Sequence, residues 1–170
     1  QRRLNVRDHA AWQVLHGVLA FQRDFQVDVD GKGVSAVEYL LNGGSMKGWD
    51  FELGDRGPRA LLELGSKVGQ GHNDQWLANL AQCGLPPSTA IRIGDRTYTL
   101  ADYVAQVQWD IPRNVQNEFS WTLIGLTAYL PADATWVAQD GKQWSIERLV
   151  GIEAEQELAT SACGGPHRLI

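Results

Sequence analysis

The residues able to carry acid–base chemistry are few and are placed alike. His9 lies three residues before Trp12, and His72 four before Trp76, each at the head of an apolar stretch. Glu118 stands three before Trp121, and His167 precedes a closing apolar segment. Imidazole titrates near neutral pH, so it can act as general acid, general base or metal ligand, and a neighbouring carboxylate tunes it. The competing reading is structural: polar residues at the first turn of a buried helix cap it or bond a loop. His16, seven residues after His9 on roughly the same face, reads as a hydrogen-bonded core histidine. Neither His-x-x-x-His nor Cys-x-x-Cys spacing occurs, so no metal or cofactor is assigned.

Three weaker constellations accompany these. Residues 46–55 combine Trp49, Asp50, Phe51, Glu52 and Asp55 between glycines. They read as a lid, as a sugar- or cation-binding loop, or as a solvated loop pinned by its two aromatics. Gly69-Gln70-Gly71-His72 and Gly164-Gly165 suit either an anion nest or a helix-entry turn. Ser120 and Ser161 lack a nucleophile-elbow motif, so serine hydrolysis is not indicated. Cys83 and Cys163 read as two free thiols, with one disulfide as the alternative, and neither state decides the compartment.

The elements that must position these residues repeat. Trp12, Trp76 and Trp121 mark helix-like stretches at 9–21, 73–83 and 118–129. After each come a β-like run, a tight turn and a hydroxyl residue that opens a second helix. Those hydroxyls are Ser35, Thr99 and Ser145, at 23, 23 and 24 residues from the tryptophans. The intervening runs alternate Val/Ile or Trp about Asp30-Gly31, Gly94-Asp95 and Asp140-Gly141, which is a short hairpin signal. Ser35-x-x-Glu38 and Thr99-x-x-Asp102 are capping signatures, and Ser145 has Glu147 one place early.

The capped helices are expected at 35–41, 99–109 and 145–159, with polar faces that place them outside. The Trp helices are apolar nearly all round and are expected inside. A further helix is expected at 58–68, and the glycine-rich segment 42–57 reads as an inserted loop. The repeat units then span about 5–57, 58–112 and 113–161, with 162–170 opening another helix, in a single helical-repeat domain. Starting at Gln1 and ending on an apolar segment, the sequence suggests an intact molecule that continues.

Bulk properties narrow the classes. The 170 residues are 44% hydrophobic and 21% charged, as in an ordinary soluble domain able to bury its own core. With a net charge of -5 and scattered basic residues, nucleic-acid binding is not indicated. No apolar run approaches the roughly 20 residues of a membrane span.

Paired inner and outer helices resemble the α/α-toroid of terpenoid cyclases and protein prenyltransferases. The segment from Trp136 through Gln139, Asp140 and Gly141 to Trp144 is similar to the cyclases' Gln–Gly–Trp motif, in one copy only. The resemblance implies a mainly α fold, an array of inner and outer helix pairs with short hairpins, equal to about half a toroid. The cyclases' Asp-rich acid motif and the prenyltransferases' zinc ligands are absent, so fold is implied and activity is not. In a toroid the inner-helix entrances ring a central cavity, which would bring His9, His72 and Glu118, with Cys163 and His167, to one rim. Trp12, Trp49, Trp76, Trp121 and His167 would then contact a largely apolar or carbohydrate ligand. The alternative is a non-catalytic repeat scaffold that associates with itself or with a second chain, since open-ended repeats need caps.

Overall fold

The computed structural model describes residues 3–67, 69, 71–114 and 119–157. Strand β1 (Leu4–Asn5) leads into helix α1 (Ala11–Phe21). Strands β2 (Gln26–Val29) and β3 (Lys32–Ser35) pair as a hairpin that runs into α2 (Ala36–Leu41). A second hairpin, β4 (Trp49–Leu53) with β5 (Pro58–Leu62), precedes α3 (Gln75–Gln82). Strands β6 (Ala90–Ile93) and β7 (Arg96–Thr99) feed α4 (Leu100–Asp110), which tightens into a 3₁₀ turn at Ile111–Asn114. Helix α5 (Ser120–Tyr129), strands β8 (Thr135–Val137) and β9 (Gln143–Ser145), and α6 (Ile146–Ala154) follow.

Local chemistry explains these elements. Each hairpin is antiparallel, and β1 adds to β2 in parallel through Leu4↔Val27. The turns place Asp30, Gly31, Gly94 and Gly141 in the left-handed region, where Asp and Gly strain least. Ser35 accepts from the Glu38 amide, Thr99 from the Asp102 amide, and Ser145 from the Arg148 amide, so each strand end caps the next helix. The Asp102 carboxylate closes the box by accepting from the Thr99 amide at 2.7 Å. Such a cap contributes about 1 kcal/mol.

The mainly α, toroid-like architecture is corrected by the structure, which over the described residues is α plus β: 42% helical, with 25% in strands across four small sheets. Two segments carry much of the difference. The expected helix at 58–68 begins as β5, and the expected loop at 42–57 contains its partner β4, registered from Trp49↔Leu62 to Leu53↔Pro58. Pairing hides the backbone polar groups of both and buries Trp49, Ala60 and Leu62. Strand pairing and an apolar face thus outweigh the helix propensity of Arg-Ala-Leu-Leu-Glu-Leu.

Inner and outer helices do not alternate either. Helix α4, expected outside, buries Leu100, Tyr103, Val104, Gln106, Val107 and Asp110, and packs against α3, α5 and β5. Helix α1 packs on α3, and α3 on α5, but α1 exposes Leu19 and Phe21 at its end. The core therefore lies between α1, α3, α4 and α5, around Leu15, Trp76, Leu77, Leu80, Phe119 and Leu126. Full burial of each such side chain contributes about 1.5–3 kcal/mol.

Candidate functional site

The β4–β5 hairpin is fastened to α4 by polar groups where apolar residues would be expected. The buried Gln106 carboxamide oxygen accepts from the Arg56 amide at 2.6 Å and the Gly57 amide at 3.0 Å. Its nitrogen donates to Asp110 Oδ2 at 2.8 Å. Arg59 on β5 binds Asp110 through both Nε and a terminal nitrogen, and donates to Glu52 at 3.0 Å. Gly57 has no room for a side chain, since a Cβ would stand 2.3 Å from the Asp102 carbonyl oxygen. The bidentate pair satisfies both Asp110 oxygens and makes a rigid, charge-balanced wall.

Beside this wall, at the start of α3, stands Asp74, 6% exposed. It occupies the cap position, yet its side chain makes no capping bond. Instead Oδ2 accepts from the Thr122 hydroxyl of α5 at 2.5 Å and from Asn114 at 3.5 Å. Asn114 in turn accepts from Asn73 at 2.8 Å. Oδ1 accepts no bond from any described residue. Burial raises the Asp74 carboxyl, the Thr122 bond opposes that, and the charge of Asp110 adds to it, leaving a pKa of about 6. Tyr103 of α4 lies alongside, 1% exposed, with its hydroxyl near the Leu77 amide but without a hydrogen-bond partner among the described residues. Burial and the nearby Asp74 charge push its phenol well above the ordinary value.

Two cavities meet at this cluster. One, of about 250 Å³, lies between the hairpin and α4 and is lined by Arg59, Tyr103, Gln106, Asp110 and Arg113. The other, of about 360 Å³, is lined by His72, Trp121 and Thr122. Leu62, Leu64, Asn73, Asp74 and Asn114 belong to both. The larger falls in the lower part of the roughly 300–1,000 Å³ range of small-molecule sites. Their walls join an apolar side to convergent carboxamides, a carboxyl and an indole. A carboxyl titrating near neutrality can exchange a proton with whatever occupies the cleft.

Of the residues singled out from sequence, the structure brings His72 and Trp121 to this cleft, with ring centroids 6.2 Å apart. His9 lines neither cavity; its ring accepts from the Asn5 amide at 3.0 Å at the entry to α1. Trp12 stays on α1, edge-on to His16, which is exposed and hence not a core histidine. Trp49 and Trp76 meet edge to face at 5.9 Å within the core, with Trp49 bordering a shallow groove on the hairpin. Glu118, Ser161, Cys163, Gly164, Gly165 and His167 lie outside the described residues. Ser120 is buried and donates to Glu153, and Cys83 is a buried free thiol that burial pushes up. Among the described residues no group of three or more His, Cys, Asp or Glu is placed to hold a metal, and no helix is long and apolar enough to cross a membrane.

Sequence reasoning missed Asp74, Tyr103, Gln106, Asp110 and Asn114 as a group. One signal was present. The stripe Leu100, Tyr103, Val107 of α4 continues to Asp110, and Gln106 borders it; an acid and an amide in a core stripe are anomalous. Asp74 gave no such signal, because an Asp before an apolar helix reads as a cap. Comparison with known protein families, with curated proteins and with solved structures finds no match.

Proposed function

We propose that the double cleft around Asp74 binds a small hydroxyl-rich ligand of the carbohydrate class, with an apolar face turned to Leu62 and Leu64. The observation that carries this reading is the buried Asp74 carboxyl, which lines both cavities and is bonded by described residues through Oδ2 alone. A carboxylate and neutral carboxamides converging beside an indole match sugar hydroxyls and the C–H face of a sugar ring. A buried carboxyl raised to about 6 is costly to keep, and a ligand contact supplies a reason for it. His72 beside Trp121 extends the wall of the larger cavity.

Saturation-transfer NMR against methyl glycosides of common hexoses and pentoses tests the reading, with glycerol as the control for weak polyol binding. Binding of at least one glycoside in the low-millimolar range or tighter is expected, weakened at least fivefold by Asp74→Asn. That substitution keeps an oxygen for Thr122 and turns an acceptor into a donor at the cleft. A scaffold without a ligand predicts no saturation transfer from any glycoside, and that result would sink the proposal.

A further inference from the structure

We infer that the ligand of this cleft is an amino sugar, its ammonium group set against the Asp74 carboxylate. This rests on the carbohydrate reading above and narrows it. Counter-charge is unevenly shared among the acids of the cleft. Glu52, Asp74 and Asp110 line the smaller cavity together with Arg59 and Arg113. Both arginines turn to Asp110: Arg59 binds it through two nitrogens, and Arg113 stands 3.7 Å from it. Glu52 takes the third Arg59 nitrogen at 3.0 Å. Asp74 has neutral partners, the Thr122 hydroxyl and the Asn114 carboxamide. Among the described residues no cation pairs with it, and the charge that bears on it is the like charge of Asp110. A carboxylate only 6% exposed and without a counter-ion is costly, because buried charge is tolerated where it is paired.

A cationic ligand supplies the charge that the surrounding elements do not. Helix α5 turns Thr122 and Trp121 to the cleft, the 3₁₀ turn Asn114, and α4 Tyr103 and Asp110; His72, against Trp121, is the other titratable group of the larger cavity. An ammonium fills nearly the volume of a sugar hydroxyl and donates three hydrogen bonds. The ring hydroxyls are left for Asn73 and Asn114, and the C–H face for Leu62 and Leu64. A neutral sugar would leave the Asp74 charge unbalanced, and an acidic one would bring a fourth carboxylate to the same wall. A metal ion fits poorly, since among the described residues no three His, Cys, Asp or Glu are placed to hold one. Hydrogen bonds between an ammonium and a carboxylate are charge-assisted and roughly twice as strong as neutral ones.

Titration calorimetry compares the tightest neutral methyl glycoside with its analogues in which one hydroxyl is replaced by an amine. The comparison is made at about pH 7, where a carboxyl of pKa about 6 is mostly ionised. One amino analogue should bind about tenfold more tightly than the parent. Asp74→Asn removes the charge and keeps the shape, so it should bring that ratio down to about one. Carbon NMR of the Asp74 carboxyl gives a readout that needs no variant. The bound amine should move its titration from about 6 toward the ordinary carboxylate range, because an opposite charge nearby favours the ionised form. If no amino analogue binds more tightly than the parent, the inference falls and the carbohydrate reading stands. A preference that survives Asp74→Asn, or a carboxyl titration that the amine does not move, puts the ammonium elsewhere and overturns the inference too. Absence of binding by neutral and amino glycosides alike overturns both.

Discussion

At Asp74, burial and hydrogen bonding pull the carboxyl in opposite directions, and burial wins. Its folded pKa of about 6 lies above the ordinary 3.8, so between these values the folded chain binds more protons than the unfolded one. Stability from this group therefore falls as pH rises through that window and is flat above it. The penalty at neutral pH is about 3 kcal/mol. Asp74→Asn keeps an acceptor for Thr122 and carries no charge. It should be more stable than the wild type by about 1–3 kcal/mol at about pH 8, with the gap closing near pH 4, as read by urea unfolding at several pH values. A variant less stable at high pH would mean that the ionised carboxylate is held better than its burial implies. A gain in stability with loss of ligand is the mark of a group retained for function.

Among the elements, two fastenings cross the chain and neither follows from local propensity. Gln106 ties the β4–β5 hairpin to α4 by accepting two backbone amides. Gln106→Ala leaves those donors without their acceptor and should cost about 2–4 kcal/mol in chemical denaturation, with the hairpin loosened first. The entrance to α5 is capped from α6, where Glu153 accepts from the Phe119 amide at 2.9 Å and from the Ser120 hydroxyl at 2.8 Å. A carboxylate at a helix N-terminus also meets the favourable end of the dipole. Glu153→Ala should cost about 1–2 kcal/mol, measured as a fall in Tm that Ser145→Ala, at the local cap of α6, does not reproduce in hydrogen exchange at α5. Equal exchange at α5 in both variants would refute that long-range cap.

Across the whole molecule, protection should follow burial. Amides of α3, α4 and α5 pack against one another and should exchange only on global unfolding. The β8–β9 hairpin, with Val137 61% exposed, should exchange faster. Mass-spectrometric hydrogen exchange resolves the two classes, and uniform rates would contradict a core centred on α4.

What the sequence determined by itself was local. Ser35, Thr99 and Ser145 announced their helices because a cap needs only a hydroxyl and three following residues. The Asp-Gly and Gly-Asp turns announced their hairpins because few other residues accept positive φ. Residues 49–62 were not legible, since strand pairing over that span is decided by what the strands cover, here α4. Nor did apolar density tell inside from outside: α4 is central because polar Gln106 and Asp110 find partners on the hairpin that let them be buried. The cleft belongs wholly to the tertiary structure. Asp74 reads as a cap in sequence, and only the approach of Thr122, Asn114 and Tyr103 from three later segments makes it a buried acid. Desolvation depends on every neighbour at once, and no local spacing records it.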